Sequence, residues 1–145
     1  MRRVSVLGAT GSIGQNTLDL IARAPDDYDV VALTGASNIA QLAKDAIALK
    51  ADVAVTARED LLEDLRAALA GSGVEAAAGA QAVTECAARP ADWVMSAIVG
   101  AAGLAPGLAV AAQGNTTLAL ANKESLVCAG PLLLETARAA GTTIM

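Results

Sequence analysis

Two short stretches carry residue types at spacings that could do chemistry. Residues 8–14 read GATGSIG, with glycines at G-x-x-G-x-x-G spacing. Gly8 suits a tight turn, Gly11 would let the backbone approach a diphosphate, and Gly14 would let the next helix lie close to the sheet. Free N–H groups at a helix N-terminus attract negative charge, and Thr10 and Ser12 add hydroxyl donors. The bland alternative is a glycine-rich turn with no ligand. The second stretch, LALANKESLVCAG at 118–130, sets Lys123 beside Glu124 after thirty residues, Trp93 to Asn122, without a charge. A cation near a helix start is unfavourable by roughly 0.3–1 kcal/mol. A lysine placed there suggests an anionic or carbonyl partner, and a solvated turn is the alternative.

Both stretches need elements that hold them. Val4 to Leu7 reads as a strand running into the glycines, and 12–24 as a helix with Ile13, Leu18, Ile21 and Ala22 at near-helical spacing, stopped by Pro25. Val30 to Leu33 is a second strand. Asn38 is placed to cap a helix over 39–49 that sets Ile39, Leu42, Ala43, Ala46 and Ile47 on one face. The pattern continues with a strand at 53–55, a helix at 58–70, a short strand at 74–78 and a short helix at 80–88. It ends with a strand at 93–98, a helix at 105–113, a strand at 117–121, a helix at 131–140 and a last strand from Thr142. Strands alternate with helices, and several strands are apolar on both faces. This predicts an α/β fold: a Rossmann-like, doubly wound, mainly parallel sheet with helices on both faces, forming one domain over 1–145. Ligands of such sheets bind outside the carboxyl ends of the strands, where 122–124 falls.

The end of the second strand bears on which nucleotide would bind. An NAD site usually carries an acid there, about twenty residues beyond the glycine loop, for the ribose 2′-hydroxyl. Residues 33–38 read LTGASN and contain no acid. A 2′-phosphate would not be repelled, and Ser37, Asn38 and the start of the next helix could hydrogen-bond it. NADP is therefore expected over NAD. The alternative is that Ser37 and Asn38 serve only as helix caps.

Composition removes other classes. Net charge is −5 with no basic cluster, so nucleic acid, which needs phosphate neutralisation, is not an expected partner. The chain has two cysteines, Cys86 and Cys128, and no histidine, which argues against a zinc site. Sparse cysteine use suits a reducing cytosol, and a cytoplasmic protein is expected. Glycines, Pro106, Gln113 and Asn115 punctuate the uncharged run, so a membrane span is not expected. With no Phe, one Trp and one Tyr, the core must be built from Ala, Val, Leu and Ile.

GATGSIG, AIVGAAGL at 97–104 and LANKESLV at 120–127 together resemble the 1-deoxy-D-xylulose 5-phosphate reductoisomerase family, in order and spacing across essentially all 145 residues. LANKESLV is the most specific of the three. The resemblance implies an NADPH-dependent enzyme of non-mevalonate isoprenoid synthesis, which rearranges 1-deoxy-D-xylulose 5-phosphate and reduces the product to 2-C-methyl-D-erythritol 4-phosphate. By position, Thr10, Gly11, Ser12 and Ile13 would hold the pyrophosphate side of NADPH, and Ala36, Ser37 and Asn38 the adenosine 2′-phosphate. Asn122 and Glu124 would line the nicotinamide side, and Lys123 would reach the phosphosugar substrate. The resemblance also implies a divalent metal (Mg, Mn or Co) held by acids beyond Met145, and a homodimer. This chain would then be the cofactor half alone, binding NADPH without turnover. Many members of that family have a basic residue where this chain has Ser37.

Two rival readings stay open in the sequence. Semialdehyde dehydrogenases also open with a GATG-type loop, and Cys128, just before the helix expected at 131–140, could be their nucleophile. Those enzymes also use a histidine, and Cys128 sits among apolar residues where an inert thiol is expected. The other rival is a non-catalytic NADP-binding module.

Overall fold

A computed structural model of the chain describes residues 1–98, 100–121 and 124–145, with backbone alone at 100, 101 and 124–129. Seven strands form one sheet: β1 (Arg2–Leu7), β2 (Tyr28–Gly35), β3 (Val53–Thr56), β4 (Glu75–Ala78), β5 (Trp93–Ser96), β6 (Thr117–Leu120) and β7 (Thr143–Ile144). Their order is β4-β3-β2-β1-β5-β6-β7, and every neighbouring pair is parallel. The sequence predicted a mainly parallel sheet; the described sheet is wholly so. Strand order reverses between β1 and β5, which creates a crevice at their carboxyl ends.

The helices are α1 (Ser12–Ala22), α2 (Ile39–Ala48), α3 (Leu62–Leu69), α4 (Ala80–Ala87), α5 (Leu104–Ala111) and α6 (Glu124–Ala140). Parallel strands need crossover connections, and right-handed ones place helices on opposite faces to either side of the reversal. Side chains alternate along the strands, apart from a register shift in β2 that sets Val31 and Ala32 in one core, so each face has its own core. Val4, Val6 and Leu33 pack with Leu18, Ile21, Leu42, Leu65 and Leu69 from α1 to α3. Leu7, Val31, Val55, Val94 and Leu118 pack with Val83, Val110, Leu133 and Ala137 from α4 to α6. Burying each such Val or Leu contributes about 1.5–3 kcal/mol. Ala43, Ala46, Ala87 and Ala111 are almost fully buried, and their small side chains let helices sit close without aromatic filler.

Gln113, a polar residue in the uncharged stretch, ties the end of α4 to the turn beyond α5. Its amide nitrogen donates to the carbonyls of Ala87 and Arg89, at 2.9 and 3.1 Å. The charge-free run thus builds β5, α5 and β6. Among the described residues no helix is long and apolar enough to cross a membrane.

Several expected boundaries move. The last helix begins at Glu124, not Pro131, and Pro131 lies inside it. Gly130, Leu133 and Ala137 are all buried, so one inward face continues across the proline and keeps the helix whole. The strand at 93–98 stops at Ser96, because the chain leaves the sheet to line the crevice. Residues 59–61 form a 3-10 turn before α3, and residues 100–103 form another before α5. Ile13 and Ile47, expected on core faces, are 46% and 43% exposed. Ile13 belongs to the first turn of α1, above the sheet edge, and Ile47 to the last turn of α2.

Candidate functional site

The glycine turn after β1 is built by close approach. Gly8 has φ +80°, and a Cβ on it would lie 2.7 Å from the carbonyl oxygen of Ala97, beyond β5. A Cβ on Gly14 would lie 2.3 Å from the Gly8 oxygen and 2.7 Å from the Ala9 Cα. Gly14 therefore lets helix α1 close on its own loop, rather than on the sheet as the glycine spacing suggested. At Gly11 the surroundings differ: the nearest atom to a built Cβ is 3.7 Å away, so an incoming group can reach this backbone. Gly11 is also the N-cap of α1 and supplies no side-chain cap. The first-turn amides of α1 thus have neither a partner within the helix nor a side-chain cap.

Neighbouring strands hold this turn. The Gly8 N–H donates to Thr34 Oγ1 at 2.9 Å, and the Ala9 N–H donates to the Thr34 carbonyl at 2.7 Å. Thr34 is the next-to-last residue of β2 and is 2% exposed. Gln15 Nε2 donates to the Ala9 carbonyl and to Asp45 Oδ2, both at 2.8 Å. Gln41 Nε2 donates to the same Asp45 carboxylate, at 3.0 Å to each oxygen. Helix α1, its loop and helix α2 are thereby joined through polar side chains.

A cleft of about 560 Å³ opens at the point of strand reversal. Gly8, Thr10, Gly11, Thr34, Gly35 and Ala36 form one wall, from the ends of β1 and β2. Ala57, just past β3, extends it. Ala80, Val83 and Thr84 of α4 form its floor, and Ala97, Ile98, Ala102, Ala105 and Pro106 its other wall. The lining is mostly apolar with a few hydroxyls and amides, the usual make-up of a small-molecule cleft.

Of the residues expected to meet a nucleotide, Thr10, Gly11 and Ala36 line this cleft. Ser12 and Ile13 follow in the exposed first turn of α1, and Ser37 and Asn38 lie exposed between β2 and α2. Asn38 accepts a hydrogen bond from the Gln41 N–H at 3.3 Å, so its oxygen caps α2. Asn122 and Lys123 lie outside the described residues, as does the side chain of Glu124. The α4 floor was missed by sequence reasoning. Ala80, Val83 and Thr84 have no chemical signature, and only the crossing at the strand reversal brings them to the site.

Cys86 offers no nucleophile. It is buried, its thiol donates to the Val83 carbonyl at 3.1 Å, and burial pushes its pKa up to about 12, slightly opposed by Arg89. The side chain of Cys128, the residue of the semialdehyde-dehydrogenase reading, lies outside the described residues, but its backbone belongs to α6 and not to a turn before a helix.

Comparison with known proteins adds to this geometry. The family model of 1-deoxy-D-xylulose 5-phosphate reductoisomerase matches residues 4–130. A 1-deoxy-D-xylulose 5-phosphate reductoisomerase of Ruegeria pomeroyi is 73% identical over 145 residues, covering 100% of this chain and 36% of its own length. Among solved structures, the reductoisomerase from Zymomonas mobilis in complex with NADPH superposes with a TM-score of 0.97 at 55% identity, covering 99% of this chain and 38% of that one. A DOX-P reductoisomerase in complex with NADPH, fosmidomycin and magnesium gives a TM-score of 0.93 at 39% identity, covering 99% of this chain and 36% of that one. The chain thus spans little more than a third of the length of the relatives it matches. With a family model over most of its length, and a strand reversal and glycine turn to match, the chain belongs to the 1-deoxy-D-xylulose 5-phosphate reductoisomerase family.

Proposed function

We propose that residues 1–145 form the NADPH-binding domain of a 1-deoxy-D-xylulose 5-phosphate reductoisomerase. The whole protein would convert 1-deoxy-D-xylulose 5-phosphate to 2-C-methyl-D-erythritol 4-phosphate as a cytoplasmic homodimer. The observation that carries the reading is the Gly8–Gly14 turn at the strand reversal. It is closed to side chains at Gly8 and Gly14, open at Gly11, and set at an uncapped helix N-terminus. A diphosphate fits such a cradle: small, anionic, and bound by main-chain amides.

In this reading Thr10, Gly11, Ser12 and Ile13 hold the diphosphate, and Ala36, Ser37 and Asn38 meet the adenosine 2′-phosphate. The apolar walls at Ala97, Ile98, Ala102 and Pro106 keep water from the dinucleotide's far half. Asn122 and Glu124 orient the nicotinamide amide, and Lys123 holds the substrate. NADPH, when bound, supplies the hydride. A divalent ion does not fit the residues at hand: among the described residues no three His, Cys, Asp or Glu side chains gather to hold one. Its ligands would come from the rest of the protein, and no step here runs through it.

Titrating the purified chain with NADPH, followed by calorimetry, tests the reading. Saturable binding of one NADPH per chain is expected, abolished by Gly11→Val, which fills the open side of the turn. Binding unchanged by Gly11→Val would place the nucleotide elsewhere and end the assignment. Turnover by the chain alone is not expected, and measurable product would overturn this division of labour between the cofactor domain and the rest of the protein.

A further inference from the structure

The proposed 2′-phosphate subsite has a gap in its chemistry. The turn LTGASN at 33–38 holds hydroxyl and amide groups but no cation. Phosphate recognition in water gains most from a charged partner, and arginine's planar fork matches phosphate oxygens best. Arg58 is the one cation among the described residues that sits on a turn at the carboxyl ends of the strands. Arg2, Arg3, Arg23, Lys50, Arg89 and Arg138 belong to the opposite edge, and Lys44 and Arg66 to helix interiors.

Two hydrogen bonds lace the Arg58 turn to the subsite, and a third braces the turn itself. The Ala57 N–H donates to the Gly35 carbonyl at 2.8 Å. Thr56 Oγ1 donates to the Ala36 carbonyl at 2.6 Å and accepts from the Arg58 N–H at 3.2 Å. Ala57, between them, lines the nucleotide cleft. One buried threonine hydroxyl therefore fixes the backbone of Arg58 beside that of Ala36.

The Arg58 guanidinium meets Asp60 with two bonds, Nε at 3.1 Å and Nη2 at 2.6 Å. Both side chains are more than half exposed. Arg58 holds the Asp60 carboxyl below its ordinary pKa, so Asp60 stays charged near neutral pH and competes for the same fork. Exposed pairs of this kind are weak. The other nearby acid, Glu59, lies against Gly79.

Resting on the NADPH reading, we propose that Arg58 is the specificity residue for the 2′-phosphate: it turns from Asp60 to that phosphate when NADPH binds. Asp60 is its resting partner and a brake on NADPH affinity. The NADP preference then comes from the turn after β3 as well as the turn after β2.

The test compares NADPH and NADH dissociation constants by calorimetry on the purified chain. Circular dichroism on each variant checks that it is folded. Arg58→Met should weaken NADPH roughly tenfold or more while leaving NADH within a factor of about two. Arg58→Lys should recover part of the loss. Asp60→Asn, which frees the guanidinium, should tighten NADPH by about two- to fivefold and leave NADH unchanged. Equal loss for both nucleotides in Arg58→Met would mean that Arg58 stacks on the shared adenine, and would overturn the proposal. So would an Asp60→Asn variant with unchanged or weaker NADPH affinity. If the unsubstituted chain bound neither nucleotide, the NADPH reading itself would fall, and this inference with it.

Discussion

The turn after β1 and the turns after β2 and β3 sit side by side on one sheet edge, yet they are made differently. The first offers main chain: glycines at 8, 11 and 14, two of them with no room for a methyl group. The others offer side chains, Ser37, Asn38 and Arg58, all exposed. In the proposed reading, a site made of backbone recognises what every nicotinamide dinucleotide shares and tolerates little change. In the same reading, a site made of exposed side chains reads the one group that distinguishes two nucleotides, and it can be altered at little cost to the fold except at Asn38, which caps α2.

Substitutions at the first turn should therefore cost the most. Gly14→Ala forces a methyl group into the Gly8 carbonyl, and overpacking of this kind costs about 1–3 kcal/mol. Thermal unfolding should show the loss, and calorimetry should show NADPH and NADH binding abolished together. If the variant kept both, the backbone turn would not be the cradle.

Thr34→Val comes next. It keeps the shape but removes the acceptor of the Gly8 N–H, a part-buried bond, at about 1–3 kcal/mol. Urea unfolding should report the destabilisation, and both nucleotides should weaken to a similar extent.

Asn38→Ala probes the second turn. It removes the cap of α2 and should destabilise the chain by about 0.5–2 kcal/mol. Unlike Thr34→Val, it should weaken NADPH more than NADH in parallel titrations. The smallest effect is expected from Ser37→Ala: NADPH affinity down by about two- to tenfold, with NADH and the unfolding midpoint unchanged. A Ser37→Ala variant that weakened NADH as much would blur the contrast between the turns.

The same contrast explains what the sequence could reveal. GATGSIG was legible because its glycines are a steric requirement, printed directly as residue type. Continuous apolar runs such as VVAL made the α/β alternation legible for a similar reason: burial on both faces leaves no polar position. Pro131 misled because a proline usually opens a helix, whereas here buried Leu133 and Ala137 extend a face that begins before it. Arg58 stayed silent because its value is positional. The β2–β3 pairing, with hydrogen bonds from Thr56 and Ala57 to residues 35 and 36, brings it to the second turn. Ala80, Val83 and Thr84 were silent for the same reason: tertiary folding, not residue type, makes them a floor.

The carboxylate of Asp45 accepts from Gln15 and from Gln41, and Gln15 also grips the carbonyl of Ala9. Helices α1 and α2, whose starts the proposed reading assigns to the diphosphate and the 2′-phosphate, are thereby clamped to each other. In that reading the separation between the diphosphate and adenosine ends is set in advance, so a dinucleotide would meet a ruler of fixed length. Little ordering entropy is then lost on arrival, and a ligand with a shorter or longer bridge between its two halves would engage one end only.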